Sequence, residues 1–257
     1  MYAFSTADYP GADSSTVYDT FGNTIVGAFD FPSTAQDAFT VMGTNYQLVE
    51  IPSSTQSVVA AINASSQMVG AYVDLSGDVH GFLDVAGTFT TIDFPGGTET
   101  ECVDINNAGE IVGDYHDSMG ADHAYLDNGG VFTSFDFPGA AGTAATGINS
   151  AGEIVGIWTD TSGVTHGFLL VGTVFSTLDF PLAASTRAFG INDAGEIAGS
   201  YTGTAGLSHG FILAKNAWSK IDVAGASQTA LTRIKNGGNI TGAYIDDLNE
   251  SHGIKGH

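Results

Sequence analysis

Basic residues are scarce in this chain of 257: four lysines and two arginines stand against 28 acids, a formal net charge of −22. Such a field repels phosphate backbones and anionic surfaces, which excludes nucleic acid as a partner. Long apolar runs are missing too. None approaches the roughly 20 residues of a bilayer-spanning helix, so no membrane insertion is expected. A single cysteine, Cys102, rules out an intramolecular disulfide and leaves the redox compartment unreadable. Set between Glu101 and Val103 in an alternating stretch, it reads as a small core residue. Sustained 3.6-residue spacing is absent, which leaves almost no room for helix. No serine–histidine–acid constellation, clustered metal-ligand set or phosphate-cradling glycine loop is written in the chain, and neither cofactor nor metal is expected.

What is abundant is repetition. An acid followed by an apolar residue and usually proline appears as Asp8-Tyr9-Pro10, Glu50-Ile51-Pro52, Asp93-Phe94-Pro95, Asp136-Phe137-Pro138, Asp179-Phe180-Pro181 and, degraded, Asp222-Val223-Ala224. Successive acids stand 42, 43, 43, 43 and 43 residues apart. Within each unit, four apolar stretches of four to six residues alternate with Gly-, Ser-, Asn- and Asp-rich turns, the pattern of four short strands. Four antiparallel strands in about 43 residues make one propeller blade, and a lone blade cannot cover its own apolar faces. The expected fold is all-β: a six-bladed β-propeller forming one domain over residues 1–257. Its blades fall near 11–51, 52–94, 95–137, 138–180, 181–223, and 224–257 joined to 1–10. Phe4 to Tyr9 matches the last strand of other units, as in Phe89 to Phe94. The N-terminal segment is therefore expected to seal the ring as the outermost strand of the last blade, whose other strands lie between Ala230 and Lys255.

Ile105-Asn106-Asn107-Ala108-Gly109-Glu110-Ile111-Val112-Gly113 with His123-Ala124-Tyr125 recurs as Ile148 to Gly156 with His166-Gly167-Phe168. It recurs again as Ile191 to Gly199 with His209-Gly210-Phe211. In these residues the chain resembles the bacterial extracellular repeat family named after its His-Ala-Phe signature (the HAF repeat). The first unit departs, with Asp37-Ala38-Phe39. The resemblance spans the whole chain and implies secretion and repetition, without any particular reaction. The chain opens in mid-repeat at Met1, and a secretory leader removed ahead of it is the matching expectation.

Equivalent residues should build scaffold, because groups spaced around a ring cannot converge on one reacting atom. That covers His80, His123, His166, His209 and His252, the acids of the Asp-Phe-Pro steps, and the turn-forming Asn63, Asn106, Asn149 and Asn192. Gly27, Gly70, Gly113, Gly156, Gly199 and Gly242 interrupt each second strand and point to close approach by a neighbouring backbone or ring. Phe29, Tyr72, Tyr115, Trp158, Tyr201 and Tyr244 leave two readings open, packing between blades or platforms for stacking sugars. Asp74/Asp78, Asp117/Asp122 and Asp246/Asp247 lack the ordered ligand run of a calcium loop.

A single functional site should lie where the units disagree, and they disagree most on the innermost strand. Both arginines fall there. Arg187 shares its repeat position with Glu101; Arg233 shares another with Asp19 and Asp104. Internal pairing, Arg233 with Asp19 and Arg187 with Glu101, is one reading. The other is a ligand site at the mouth of the central channel, built from Arg187, Arg233, Glu101, Asp104 and Asp19 with Tyr18 and Phe189 as walls. The functional expectation is a secreted, monomeric binding propeller for a carbohydrate or small polar or anionic ligand. The alternatives are an enzyme (lyase, hydrolase or cyclase) working through a carboxylate and arginine in that pocket, and a passive extracellular scaffold.

Overall fold

The computed structural model describes residues 2–30 and 36–257. They form 24 strands in six four-stranded antiparallel sheets. Each sheet runs from an inner strand through second and third strands to an outer one. In blade 3 these are Glu99–Ile105, Glu110–His116, Asp122–Asn128 and Val131–Phe135. No helix among the described residues is long and apolar enough to cross a membrane. Blade 6 takes Gln228–Ile234, Ile240–Ile245 and Ser251–Gly256 from one end of the chain and its outer strand, Phe4–Thr6, from the other. Phe4 pairs with Gly256, Ser5 with Lys255 and Thr6 with Ile254. The chain is a six-bladed propeller sealed by its own termini, as the split repeat predicts.

Turn chemistry fixes the inner hairpins. In blade 3, Asn106 Oδ1 accepts the N–H groups of Ala108 and Glu110, and Gly109 takes the left-handed conformation at φ +86°. Blade 2 places Ser66 in that position and carries the strain of φ +59° without a glycine.

Every inner strand carries a bulge at one level. The register slips between Val17 and Asp19, Val59 and Ala61, Cys102 and Asp104, Ala145 and Gly147, Ala188 and Gly190, and Leu231 and Arg233. A bulge kinks its strand and turns the extra residue out of the ladder. Here the kink drives a carbonyl into the second strand, where only glycine fits. A Cβ on Gly156 would lie 2.2 Å from Ala144 O and 2.5 Å from the ring of Phe168. The equivalent glycines meet the same carbonyl at about 2 Å in the other five blades. Against these glycines pack Phe39, Phe82, Phe168 and Phe211, all fully buried between blades. Each contributes about 2–3 kcal/mol by leaving water. Cys102 is buried in the same layer, its thiol pushed up to about 12 by burial, and it is a core residue.

Gly156→Ala should therefore cost about 3 kcal/mol, read as a lowered urea midpoint with an unchanged slope.

Candidate functional site

One face of the ring, called upper here, carries the Asp-Phe-Pro crossovers; the lower face carries the asparagine turns. On the upper face the repeated polar and aromatic residues lock to one another. His123 Nδ1 lies 2.9 Å from Asp136 and its Nε2 3.6 Å from Asp117. His80 bridges Asp93 and Asp74 in the same way. The carboxylates of Asp93 and Asp136 hold the His80 and His123 rings above their ordinary value. Tyr115 is stacked on one side by Phe94, with centroids 3.7 Å apart, and on the other by His123 at 5.3 Å. Trp158 sits likewise between Phe137 and His166. Tyr201 lies between Phe180 and His209 in the same way, so in blades 3, 4 and 5 these aromatics have both faces covered and pack within the fold. Asp74 and Asp117 spend an oxygen on the amides of their own loops. In blade 6, Asp246 comes together with Glu250 and His252, ligand atoms within 4.8 Å of one another. This is the trio, among the described residues, with spacing for a cation.

The axis is closed at the level of the bulges by Arg233. It is 6% exposed. From blade 6 its guanidinium donates to the carbonyls of Phe189 in blade 5, Thr232 in its own strand, and Val103 in blade 3 opposite. Its Nε faces Asp104 at 3.6 Å. Gly190 makes the space: a Cβ there would meet the Arg233 stem at 3.2 Å. Asp104 accepts from the amides of Ile105 and Ile148, so it stitches blade 3 to blade 4. Asp19, wholly buried, accepts from Thr20 and from Ile62 of blade 2 and pairs with Lys235 at 2.7 Å. The closing ion pair is therefore Lys235–Asp19, and Arg233 reaches past Asp19 to Asp104. Sequence position aligned Arg233 with Asp19; the length of its side chain and the glycine opposite carry it across the axis instead.

Below Arg233 lies a cavity of about 300 Å³, lined by all six blades and including Asp104, Arg233 and Lys235. Its polar groups are spent on one another. Asn63, Asn106, Asn149 and Asn192 each donate Nδ2 to the carbonyl of the equivalent residue in the next blade, the last to Lys235 O. Glu101, Arg187, Tyr18 and Phe189 do not line it. The predicted single pocket is thus divided in two by one of its own predicted members.

The upper mouth holds the remaining candidates. Glu101 and Arg187 sit at the same level of their inner strands, and both are exposed. They form no ion pair with each other, contrary to the pairing considered from sequence. Tyr18 and Phe189, the bulge residues one step deeper, are half-buried walls. Burial, with Asp30 and Glu101 nearby, raises the Tyr18 hydroxyl. Behind Glu101 stands a group that spacing alone did not single out. Asp114 is its cross-strand partner; His116 is the partner of Glu99 and, on its other side, of Asp122. His116 Nδ1 lies 2.9 Å from Glu99 and Nε2 2.7 Å from Asp122. Burial and the neighbouring charges of Glu101, Asp122 and Glu99 push Asp114 up to about 8. Although the residue as a whole is exposed, withdrawal of its carboxyl from water, and then the charge of Glu99, raise Glu101. The signal was available: other blades put Ala28, Ala71, Ile157, Ser200 and Ala243 where blade 3 has Asp114, and His116 is a histidine out of phase with the repeat.

No protein-family model matches the sequence, and no curated protein matches it. Solved structures do. AofleA from Arthrobotrys oligospora superposes with a TM-score of 0.61 at 11% identity, over 97% of this chain and 85% of that one. The Aleuria aurantia lectin, described as a six-bladed β-propeller with a novel fucose recognition mode, gives 0.58 at 14%, over 98% and 93%. A Trypanosoma rangeli sialidase gives 0.57 at 9%, covering 96% of this chain and 54% of that chain. At these identities the likeness establishes the shared fold.

Arg233→Met should cost about 3–5 kcal/mol in a guanidinium titration, because Asp104 and the Val103 and Phe189 carbonyls lose their donor at the axis. A second expectation concerns pH. Asp114 keeps its proton in the folded chain up to about 8, against an ordinary value of 3.8. Its contribution is complete below about pH 4 and is lost as pH rises through about 8. His80 and His123 act in the same direction, above their ordinary 6.5. The melting temperature should fall from pH 5 to pH 8.5, and Asp114→Asn should flatten that fall in a scanning-fluorimetry series.

Proposed function

We propose that this protein is an extracellular binding propeller that takes one carbohydrate or small polar ligand at the upper mouth of its axial channel. The observation that carries the reading is the break in symmetry there. Four blades put Thr16, Val58, Ala144 and Ala230 at the level where blade 3 has Glu101 and blade 5 has Arg187. An exposed carboxyl and an exposed guanidinium without a mutual bond can engage hydroxyls of a ligand between them. Tyr18 and Phe189 add apolar faces suited to the C–H face of a sugar ring. The likeness to a fucose-recognising propeller lectin supports the ligand class, and the aromatics covered on both faces in blades 3, 4 and 5 argue against one equal site per blade. The resemblance to the His-Ala-Phe repeat family supports an extracellular location.

A second reading, an enzyme, rests on Asp114. A carboxyl that holds its proton near neutrality, with the Glu101 carboxyl as its cross-strand neighbour, is an arrangement that general acid–base chemistry can use. Asp104 has no such part, since its oxygens are occupied by backbone amides and it is buried below Arg233.

Titration calorimetry against a monosaccharide and disaccharide panel should give one site per chain, and Glu101→Gln should weaken binding at least about tenfold. Several equal sites, or binding indifferent to Glu101→Gln, would count against the mouth. Release of a new reducing end or an unsaturated product during the titration would favour the enzyme.

A further inference from the structure

We propose that the ligand of the upper mouth carries a carboxylate, seated on Arg187, and that its class is the sugar acids of the uronate type. This rests on the upper mouth being the ligand site proposed above.

The case begins with the cations. Arg233 faces Asp104, Lys235 pairs with Asp19 and Lys220 with Asp222. The Arg187 side chain, like those of the exposed Lys215 and Lys255, has no ion pair and no hydrogen bond with any described residue, but of these three it alone stands on an inner strand at the axis, in a chain with 28 acids. Its own sheet face offers only hydroxyls. Ser200 is its cross-strand partner, and Ser185 and Thr202 beside it bond to each other at 3.1 Å. Glu101, two blades away at the same level, forms no ion pair with it. A guanidinium held on an inner strand, reachable by solvent and without an internal anion, presents its planar donor fork to an anion from outside, and a carboxylate fits that fork with two parallel bonds.

The blade 3 acids do not bar such a ligand, and Asp30, near Tyr18, accepts from the Ser14 hydroxyl. On blade 3, Asp114 is neutral up to about pH 8, and Glu99 and Asp122 are both turned onto His116. Blade 4 adds no charge where it meets this cluster, having Gly142 and Ala144 at that height. Glu101 and protonated Asp114 are then an acceptor and a donor for hydroxyls on the far side of a ligand whose carboxylate lies on Arg187. Tyr18 and Phe189 bound the space between. Carboxylate at one end, hydroxyls at the other and a compact ring between describe a uronic acid better than a neutral sugar or a bare organic acid.

The test is calorimetry of the full chain with galacturonate and glucuronate, beside galactose, glucose and the methyl esters of both acids. Uronates should bind at least about tenfold more tightly than their neutral and esterified counterparts. Arg187→Ala should remove that preference, and Arg187→Lys should restore only part of it, since lysine keeps the charge without the fork. Arg187 is exposed, so an unchanged melting temperature will certify the fold of both variants. If neutral sugars bind as well as uronates, with Glu101→Gln harmful and Arg187→Ala neutral, the inference fails while the mouth stands. If no saccharide of the panel binds, both fail.

Discussion

Carbonyl groups pointed at the axis are the constraint around which this ring is organised. Each inner strand must bulge at one level to turn its side chains toward the channel, and each bulge leaves a peptide oxygen without its ladder partner. Such oxygens near one axis, in a space that excludes most water, would be costly if left bare. Arg233 collects those of Val103, Phe189 and Thr232, while the Thr232 hydroxyl takes those of Val17 and Tyr18 and the Thr146 hydroxyl takes that of Ala188. The ring is thereby tied across its diameter as well as around its rim. Removal of a long basic side chain from such a place leaves several partners unsatisfied at once, which is why the effect matches the breaking of a close buried pair although Arg233 meets Asp104 only at 3.6 Å.

The same logic explains how a chain with a net charge of −22 stays folded. The acids are distributed into separate small duties. Asp74, Asp117 and Asp246 are held below their ordinary value chiefly by amide groups of their own loops, and a hydrogen bond from Ser162 brings Asp160 down to about 2. The crossover acids meet histidines, and those histidines cover the aromatic layer. Each blade satisfies its charge locally, so repulsion between blades is not concentrated anywhere. Blade 3 is the exception. Glu99, Glu101, Asp114 and Asp122 crowd one sheet face with a single histidine among them, and the fold responds by keeping a proton on Asp114.

Repetition made most of the fold legible. The 43-residue period required blades, the split unit required closure at Phe4–Thr6, and the conserved phase of Gly113, Gly156 and Gly199 required something pressing on the second strand. What pressed was not legible, because a bulge depends on how the ladder slips. The division of the channel was hidden for a related reason. Residue position placed Arg233 level with Asp19 and Asp104, but its choice of partner depends on the reach of its side chain and on the gap left by Gly190. Asp114 and His116 are less visible because they lie on the second strand, beside the inner strand where the units diverge most. Their departure from the small residues at equivalent positions was a visible sign.

Symmetry also clarifies why Arg187 and Glu101 stand apart. A pairing across the mouth would have to span two blades with flexible side chains in a solvent-filled opening, where screening leaves an ion pair worth about 0–1 kcal/mol. Stability therefore gives little reason to place both charges at that level. Arg233 and Asp104, one turn deeper, show what the chain does when a charge at the axis serves the fold: it is buried, surrounded by glycine and given backbone partners. Arg187 and Glu101 have none of these supports. Side chains that break a sixfold pattern, remain in water and leave each other free have the arrangement expected of groups that wait for a third.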